Sequence, residues 1–168
     1  MVKSKLMPTI VLSIICLCAA LLLSAINMVA DPIIKANQEQ KAQDALLEVM
    51  PEGESFDKID TAGLPEEITA AYKAASGGYV FQMTVTGYKS GLVIMCGIDG
   101  NGKITGAKCI QSSETLGAEG ELGTQYTGKV SDNYTDVSAI SGATLTYNGY
   151  RKAIKAAFDA FEILKGGN

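Results

Sequence analysis

The 168-residue sequence contains no histidine and no tryptophan, and its one arginine is Arg151. The absence of histidine excludes a Ser-His-Asp triad, a Cys-His nucleophile pair and a histidine-ligated metal site. The formal net charge is −4, and this acidic balance argues against nucleic-acid binding, which requires clustered lysine and arginine. The sequence therefore predicts no catalytic side chain and no metal site.

Charge is also missing from a long stretch near the N-terminus. No residue between Lys5 and Asp31 is charged, and the apolar run 7–30 is long enough for a helix to cross a hydrocarbon core of about 30 Å. A buried core helix and a cleaved signal peptide are the alternatives. The run is longer than a usual signal segment, and its candidate cleavage sites lack a small residue at the −3 position. A retained single-span membrane anchor is therefore favoured.

The orientation of this span follows from the charges beside it. Lys3 and Lys5 precede it, whereas no positive excess follows it, so residues 1–6 are predicted to be cytoplasmic and the domain to lie on the outer face of the cell membrane. Residues 31–50 have apolar positions at helical spacing and end before Pro51. They predict a stalk helix that continues from the membrane.

The remaining residues, 51–168, predict an α+β domain in which helices pack on a small antiparallel sheet. The predicted elements are a short helix over 64–75, strands over 79–85, 91–98 and 103–111, an irregular segment over 112–137 and an amphipathic helix over 147–164. An irregular segment as long as 112–137 is typically functional or disordered.

Two cysteines lie in the predicted hairpin. A two-residue turn within the segment Asp-Gly-Asn-Gly at 99–102 would place Cys109 opposite Leu92, roughly 13 Å along the strand from Cys96. A disulfide requires Cα atoms within about 7 Å of each other. The sequence therefore predicts two free thiols.

The most informative segment is the run Ser-Gly-Ala-Thr-Leu-Thr at 141–146, just before the last predicted helix. Small residues let the backbone approach a bulky ligand, and a helix start offers unpaired N–H groups to a phosphate. Arg151 follows Thr144 by about two helical turns, and its side chain can lean back toward the same phosphate. On spacing alone, a plain helix cap at Thr144 or Thr146 explains the same residues.

Several short elements spread over nearly the whole chain resemble one known family. They are Ala45-Leu46, Met50-Pro51, Gly78-Tyr79-Val80-Phe81, Gly87-Tyr88, Ile94-Met95-Cys96-Gly97-Ile98-Asp99, Ser113-Glu114-Thr115 and Ile140-Ser141-Gly142-Ala143-Thr144. Together with the single N-terminal span, they resemble the FMN-binding domain of the RnfG/RsxG subunit of Rnf complexes and of the NqrC subunit of Na⁺-translocating NADH:quinone reductases. The short chain and its Glu-Thr element are more similar to RnfG.

The resemblance implies a covalent cofactor. In this family the threonine of the Ser-Gly-Ala-Thr element is esterified to the phosphate of FMN by a flavin transferase, which implies one FMN on Thr144. The other residues predicted to bind the cofactor are Ser141, Gly142, Ala143, Thr146, Arg151, Glu114, Thr115 and Gly117.

The chain departs from the family pattern at two places. Ser138 stands where an aspartate usually precedes the modified threonine by six residues. The family loop often reads H-x-E-T-P-G-L-G, and this chain has Ser112, Leu116, Ala118 and Glu119 in the places of His, Pro, Leu and the last Gly. An ordinary solvated loop is the alternative for this segment.

The function that the resemblance implies is electron relay in an Rnf-type complex, which moves electrons between reduced ferredoxin and NAD⁺ and couples this to Na⁺ or H⁺ translocation. Other membrane subunits and a flavin transferase are the implied partners. One span without charged groups cannot form an ion pathway alone, so the chain is expected to act as a subunit rather than as a complete enzyme. A free-standing surface reductase, an NqrC-like subunit and an anchored adaptor without flavin are the alternatives.

Overall fold

The computed structural model describes residues 2–114 and 117–166, and the chain divides into two compact units, Met1–Lys41 and Ala42–Asn168. Helix α1 (Val2–Val49) forms the first unit and ends in the second. Within the described residues, one helix is long and apolar enough to cross a membrane, over Ile10–Met28. The predicted span contains this stretch, whose length and composition suit a membrane anchor or a signal sequence.

The second unit is a five-stranded antiparallel sheet in the order β1-β2-β3-β4-β5, packed by helices. Each strand pairs with the next along the chain, and the predicted α+β class is confirmed. Its elements are a 3-10 turn (Pro51–Gly53), β1 (Phe56–Ile59), β2 (Ile68–Ala74), β3 (Tyr79–Thr86), β4 (Ser90–Ile98), β5 (Ile104–Gln111), α2 (Glu119–Tyr126) and α3 (Thr144–Gly166).

One face of the sheet is covered by α3. Side chains alternate along β3, so Phe81 and Met83 are buried in the core whereas Thr84 between neighbouring core positions is exposed. Apolar residues recur along α3 at intervals of three and four, which gives it one continuous buried face. The α3 residues in this core include Tyr150, Ala153, Ile154, Ala157, Phe158 and Phe161.

The opposite face of the sheet receives the C-terminal turns of α1, residues 42–49. A Cβ on Gly97 would lie 2.7 Å from the carbonyl oxygen of Val49, and one on Gly106 would lie 3.0 Å from the same oxygen. The Thr105 hydroxyl donates a hydrogen bond of 2.5 Å to that carbonyl. The two glycines thus allow the helix end to approach the sheet, and the threonine satisfies a carbonyl that has no partner within the helix.

Two predicted elements need correction. The helix predicted over 64–75 is wrong, because Ile68–Ala74 forms β2 and pairs with strands on both sides. Its alanines favour a helix locally, but two ladders of hydrogen bonds override that propensity. The segment 112–137 is not irregular throughout, since it contains α2.

The β4–β5 hairpin forms as predicted, but its register is different. Cys109 lies opposite Ile94 rather than Leu92. The turn is longer than two residues because the Asp99 carboxylate accepts hydrogen bonds from two amides of the turn, and irregularities in the ladder shift the pairing further. Cys96 and Cys109 are both free thiols, and burial is the largest factor that raises the pKa of each.

Candidate functional site

The start of α3 displays one hydroxyl to solvent. Gly142 has φ +82°, a left-handed conformation that favours glycine, and the Ala143 amide donates to the carbonyl of Ile140 at 3.0 Å. Ala143 is buried after this turn, whereas Thr144 is exposed at the first position of the helix. The sequence Ser-Gly-Ala-Thr thus forms a tight turn that anchors the alanine and presents the threonine.

A carboxylate joins this helix start to the β3–β4 hairpin. Glu114 accepts a hydrogen bond of 2.6 Å from the hydroxyl of Thr146, which is 4% exposed. It also accepts the backbone amides of Tyr88 at 3.1 Å and Lys89 at 3.0 Å. A Cβ on Gly87 would lie 2.7 Å from the Glu114 Oε1 atom, so the absence of a side chain there allows the carboxylate to reach the hairpin.

The loop that carries Glu114 is held at two further points. The Glu114 amide donates to the Ser112 hydroxyl at 2.9 Å, and this hydroxyl donates in turn to the buried carboxylate of Glu119. The Tyr150 hydroxyl of α3 donates to the Glu119 carbonyl at 2.8 Å. Ser112 and Glu119 are two of the positions that depart from the family pattern, and they contact each other. Ser112, Glu114 and Glu119 are therefore held in place by hydrogen bonds.

These elements surround an open cavity of about 160 Å³. Ligand pockets usually have volumes of about 300–1,000 Å³, so this cavity holds part of a nucleotide-sized ligand rather than all of it. Tyr88 is 62% exposed and Leu145 is 53% exposed, which gives the cavity an apolar edge. The described residues that line it are Tyr88, Glu114, Gly142, Ala143, Thr144, Leu145 and Thr146.

Five of the predicted cofactor-binding residues meet at this cavity, and three others lie elsewhere among the described residues. Ser141 and Arg151 are exposed but do not line the cavity, and Gly117 is exposed with φ +63°. Thr115 lies outside the described residues. The residues at the cavity are Glu114, Gly142, Ala143, Thr144 and Thr146.

Arg151 lies within electrostatic range of a buried tyrosine. Burial raises the pKa of the Tyr126 hydroxyl, and the positive charge of Arg151 partly opposes this effect. The predicted contact of Arg151 with a phosphate stays a prediction.

Sequence reasoning missed two lining residues, Tyr88 and Leu145. Tyr88 belongs to the Gly87-Tyr88 element of the resemblance, and Leu145 directly follows the candidate attachment residue. Their exposure is the signal that distinguishes them, since an apolar pair at the edge of a cavity suits a ligand with an apolar part. Exposure depends on the fold and could not be read from the sequence.

Glu114 is negatively charged at neutral pH. Partial burial would raise the pKa of its carboxyl group, but the hydrogen bonds from Thr146, Lys89 and Tyr88 outweigh this effect and lower the pKa below its ordinary value. Among the described lining residues the cavity therefore has one fixed negative charge, close to helix-start N–H groups that lack partners within the helix.

This lowered pKa gives the domain an acid-sensitive stability. The pKa of Glu67 is also lowered, first by its hydrogen bond with Lys152. Both carboxylates stabilise the folded state when the pH is above the pKa that they have in the unfolded chain. This contribution is lost as the pH falls through the lower pKa of the folded state. We expect Glu67→Gln and Glu114→Gln each to lower the free energy of unfolding at neutral pH, with the difference from wild type shrinking as the pH falls through the range in which carboxyl groups titrate. Thermal unfolding across this range checks it, and a difference that does not depend on pH would contradict it.

Comparison with known proteins matches the chain to one family model and to two relatives. Residues 87–159 match the family model of the FMN-binding domain, and this range includes all of the described residues that line the cavity. The chain is 26% identical over 187 aligned residues to the G component of the Na(+)-translocating ferredoxin:NAD(+) oxidoreductase complex of Acetobacterium woodii, with 92% of this chain and 90% of the relative covered. It is 22% identical to the G component of the proton-translocating ferredoxin:NAD(+) oxidoreductase complex of Clostridium ljungdahlii, with 93% and 91% covered.

Proposed function

We propose that this chain, which carries an FMN-binding domain and is distantly related to the G components of two ion-translocating ferredoxin:NAD⁺ oxidoreductases, is a membrane-anchored flavoprotein that relays electrons in a complex of this kind. The observation that carries the proposal is the position of Thr144. This residue is exposed at the first position of α3 and lines the cavity within the matched domain.

The residues around the cavity fit the phosphate end of FMN. The Thr144 hydroxyl is available for a phosphoester bond, and the N–H groups of the first turn of α3 lack partners within the helix and favour an anion. Gly142 and Ala143 are small enough to leave room for the phosphate. The apolar edge formed by Tyr88 and Leu145 offers packing surface to the part of the cofactor that the cavity of about 160 Å³ does not hold.

The protein contributes retention and position. When bound, FMN supplies the redox chemistry by accepting and donating electrons. A covalent bond from Thr144 prevents dissociation of the cofactor on the outer side of the membrane and confines it within reach of neighbouring carriers. Because the bond is to the phosphate, the redox-active ring is left unmodified. No step in this role requires a general base, in agreement with a chain that has no histidine.

The apolar helix supports the proposal that this carrier is bound to a membrane. The stretch Ile10–Met28 acts as a single-pass anchor, and the lysines that precede it favour a cytoplasmic N-terminus with the flavin domain on the outer face. One span without charged groups provides no ion pathway. Translocation of Na⁺ or H⁺ therefore belongs to the other membrane subunits, and attachment of FMN belongs to a flavin transferase.

Copurification tests the assignment to a complex. The tagged full-length chain, extracted from its native membrane in a mild detergent, is expected to bring down the other integral subunits of a ferredoxin:NAD⁺ oxidoreductase. Recovery of a flavin-loaded chain without those subunits would contradict this assignment and favour the free-standing reductase. Recovery with subunits of an NADH:quinone reductase would favour the NqrC-like alternative.

A further inference from the structure

We propose that Glu114 is a positioning residue of the flavin site. It acts through Tyr88 and Thr146, by holding the β3–β4 hairpin against the start of α3, and does not serve as a ligand of the phosphate. The identity of the cofactor rests on the proposed function, whereas the contact between hairpin and helix is a property of the chain itself.

The hydrogen bonds of Glu114 support this role. Its two oxygens accept the Thr146 hydroxyl and two hairpin amides, those of Tyr88 and Lys89, which occupy most of the acceptor positions of a carboxylate. Its negative charge repels a phosphate rather than binding it. The contribution of Glu114 to the cavity is therefore the placement of the residues that it holds.

Two glycines allow the close approach of backbone and side chain at this contact. A Cβ on Gly149 of α3 would lie 3.1 Å from the Thr86 carbonyl oxygen and 3.3 Å from the Gly87 Cα atom, so the helix and the hairpin meet at backbone distance. Gly87 in turn leaves the space that the Glu114 carboxylate fills. Ser112 holds the Glu114 amide from the other side. Glu114 thus links three segments that are distant in sequence.

The fixed charge of Glu114 has a second consequence. Reduction of a flavin adds negative charge to the cofactor, and the negative charge of Glu114 at the cavity that we propose for FMN disfavours that addition. Glu114 is therefore expected to lower the reduction potential of the bound flavin in addition to placing Tyr88.

Hydrogen exchange tests the positioning role without a cofactor. In the full-length Thr144→Val chain in detergent, Glu114→Ala is expected to speed exchange of the Tyr88 and Lys89 amides by about tenfold or more, because a hydrogen bond to a charged acceptor is lost. Glu114→Gln keeps one acceptor oxygen and should give a smaller increase. Glu121→Gln, an exposed control on α2, should change neither amide. Unchanged exchange in Glu114→Ala would overturn the inference, whether or not FMN is present.

Redox titration tests the charge in the flavin-loaded protein. Glu114→Gln is expected to retain its flavin and to raise the reduction potential, whereas Glu121→Gln is expected to leave the potential at the wild-type value. An unchanged potential in Glu114→Gln would remove the electrostatic role. A wild-type chain without any flavin would instead refute the proposed function, and the exchange experiment would still decide the positioning role.

Discussion

Replacing Thr144 with valine is expected to abolish attachment of the flavin. Valine keeps the size and branching of threonine but has no hydroxyl, so a phosphoester bond cannot form at this position. The turn that presents residue 144 depends on Gly142 and on the buried Ala143, and neither is altered by the substitution. Flavin fluorescence of the chain after denaturing electrophoresis measures the effect, and we expect it to fall to background.

Two further substitutions serve as controls for this result. Ser141→Ala removes an exposed hydroxyl in the same turn and is expected to retain the fluorescence. Thr144→Ser restores a hydroxyl at the same position and is expected to regain at least part of it. Full fluorescence in Thr144→Val would contradict the assignment and move attachment to another residue.

Replacing Gly123 with alanine is expected to destabilise the domain by about 1–3 kcal/mol, the usual cost of overpacking. Gly123 is buried on α2, and a Cβ there would lie 2.4 Å from the carbonyl oxygen of Ala107 on β5. The added Cβ is fixed to the backbone of α2 and the carbonyl oxygen to the backbone of β5. No side-chain rotation therefore relieves the clash, and α2 must move away from the edge of the sheet. Denaturant unfolding of the full-length chain measures the change.

A second glycine on the same helix supplies the matched control. Gly120 is exposed, and nothing lies within 4 Å of a Cβ placed on it. Gly120→Ala is therefore expected to stabilise the domain by up to about 1 kcal/mol, since alanine favours a helix over glycine. If the two substitutions changed the stability equally, the close packing of α2 on β5 would be wrong.

The elements that the sequence predicted correctly are those with a strong local pattern. Strand β3 alternates apolar and polar residues over 81–86, and α3 repeats apolar residues at helical spacing over most of its length. β2 has no such pattern, because buried alanines on both faces give neither period clearly. The helix α2 is only eight residues long and contains two glycines, so its formation depends on packing against β5 and not on its own propensity.

The candidate site was predictable in part for the same reason. The run that ends at Thr144 is continuous in sequence, so its turn, its exposed threonine and its helix start could be anticipated. The partners of Glu114 could not, because Tyr88 and Thr146 lie 26 and 32 residues away along the chain. The register of the β4–β5 hairpin was missed because the prediction assumed a two-residue turn. In the structure, hydrogen bonds to the Asp99 carboxylate hold a longer turn.

The mass of one peptide tests the central claim most directly. Trypsin releases residues 130–151 of the native protein, a fragment that contains Thr144 and ends at Arg151. We predict that this fragment carries the added mass of one FMN less one water, as a phosphoester requires, and that the purified protein is yellow. A colourless protein whose fragment has only the mass of its amino acids would contradict the account.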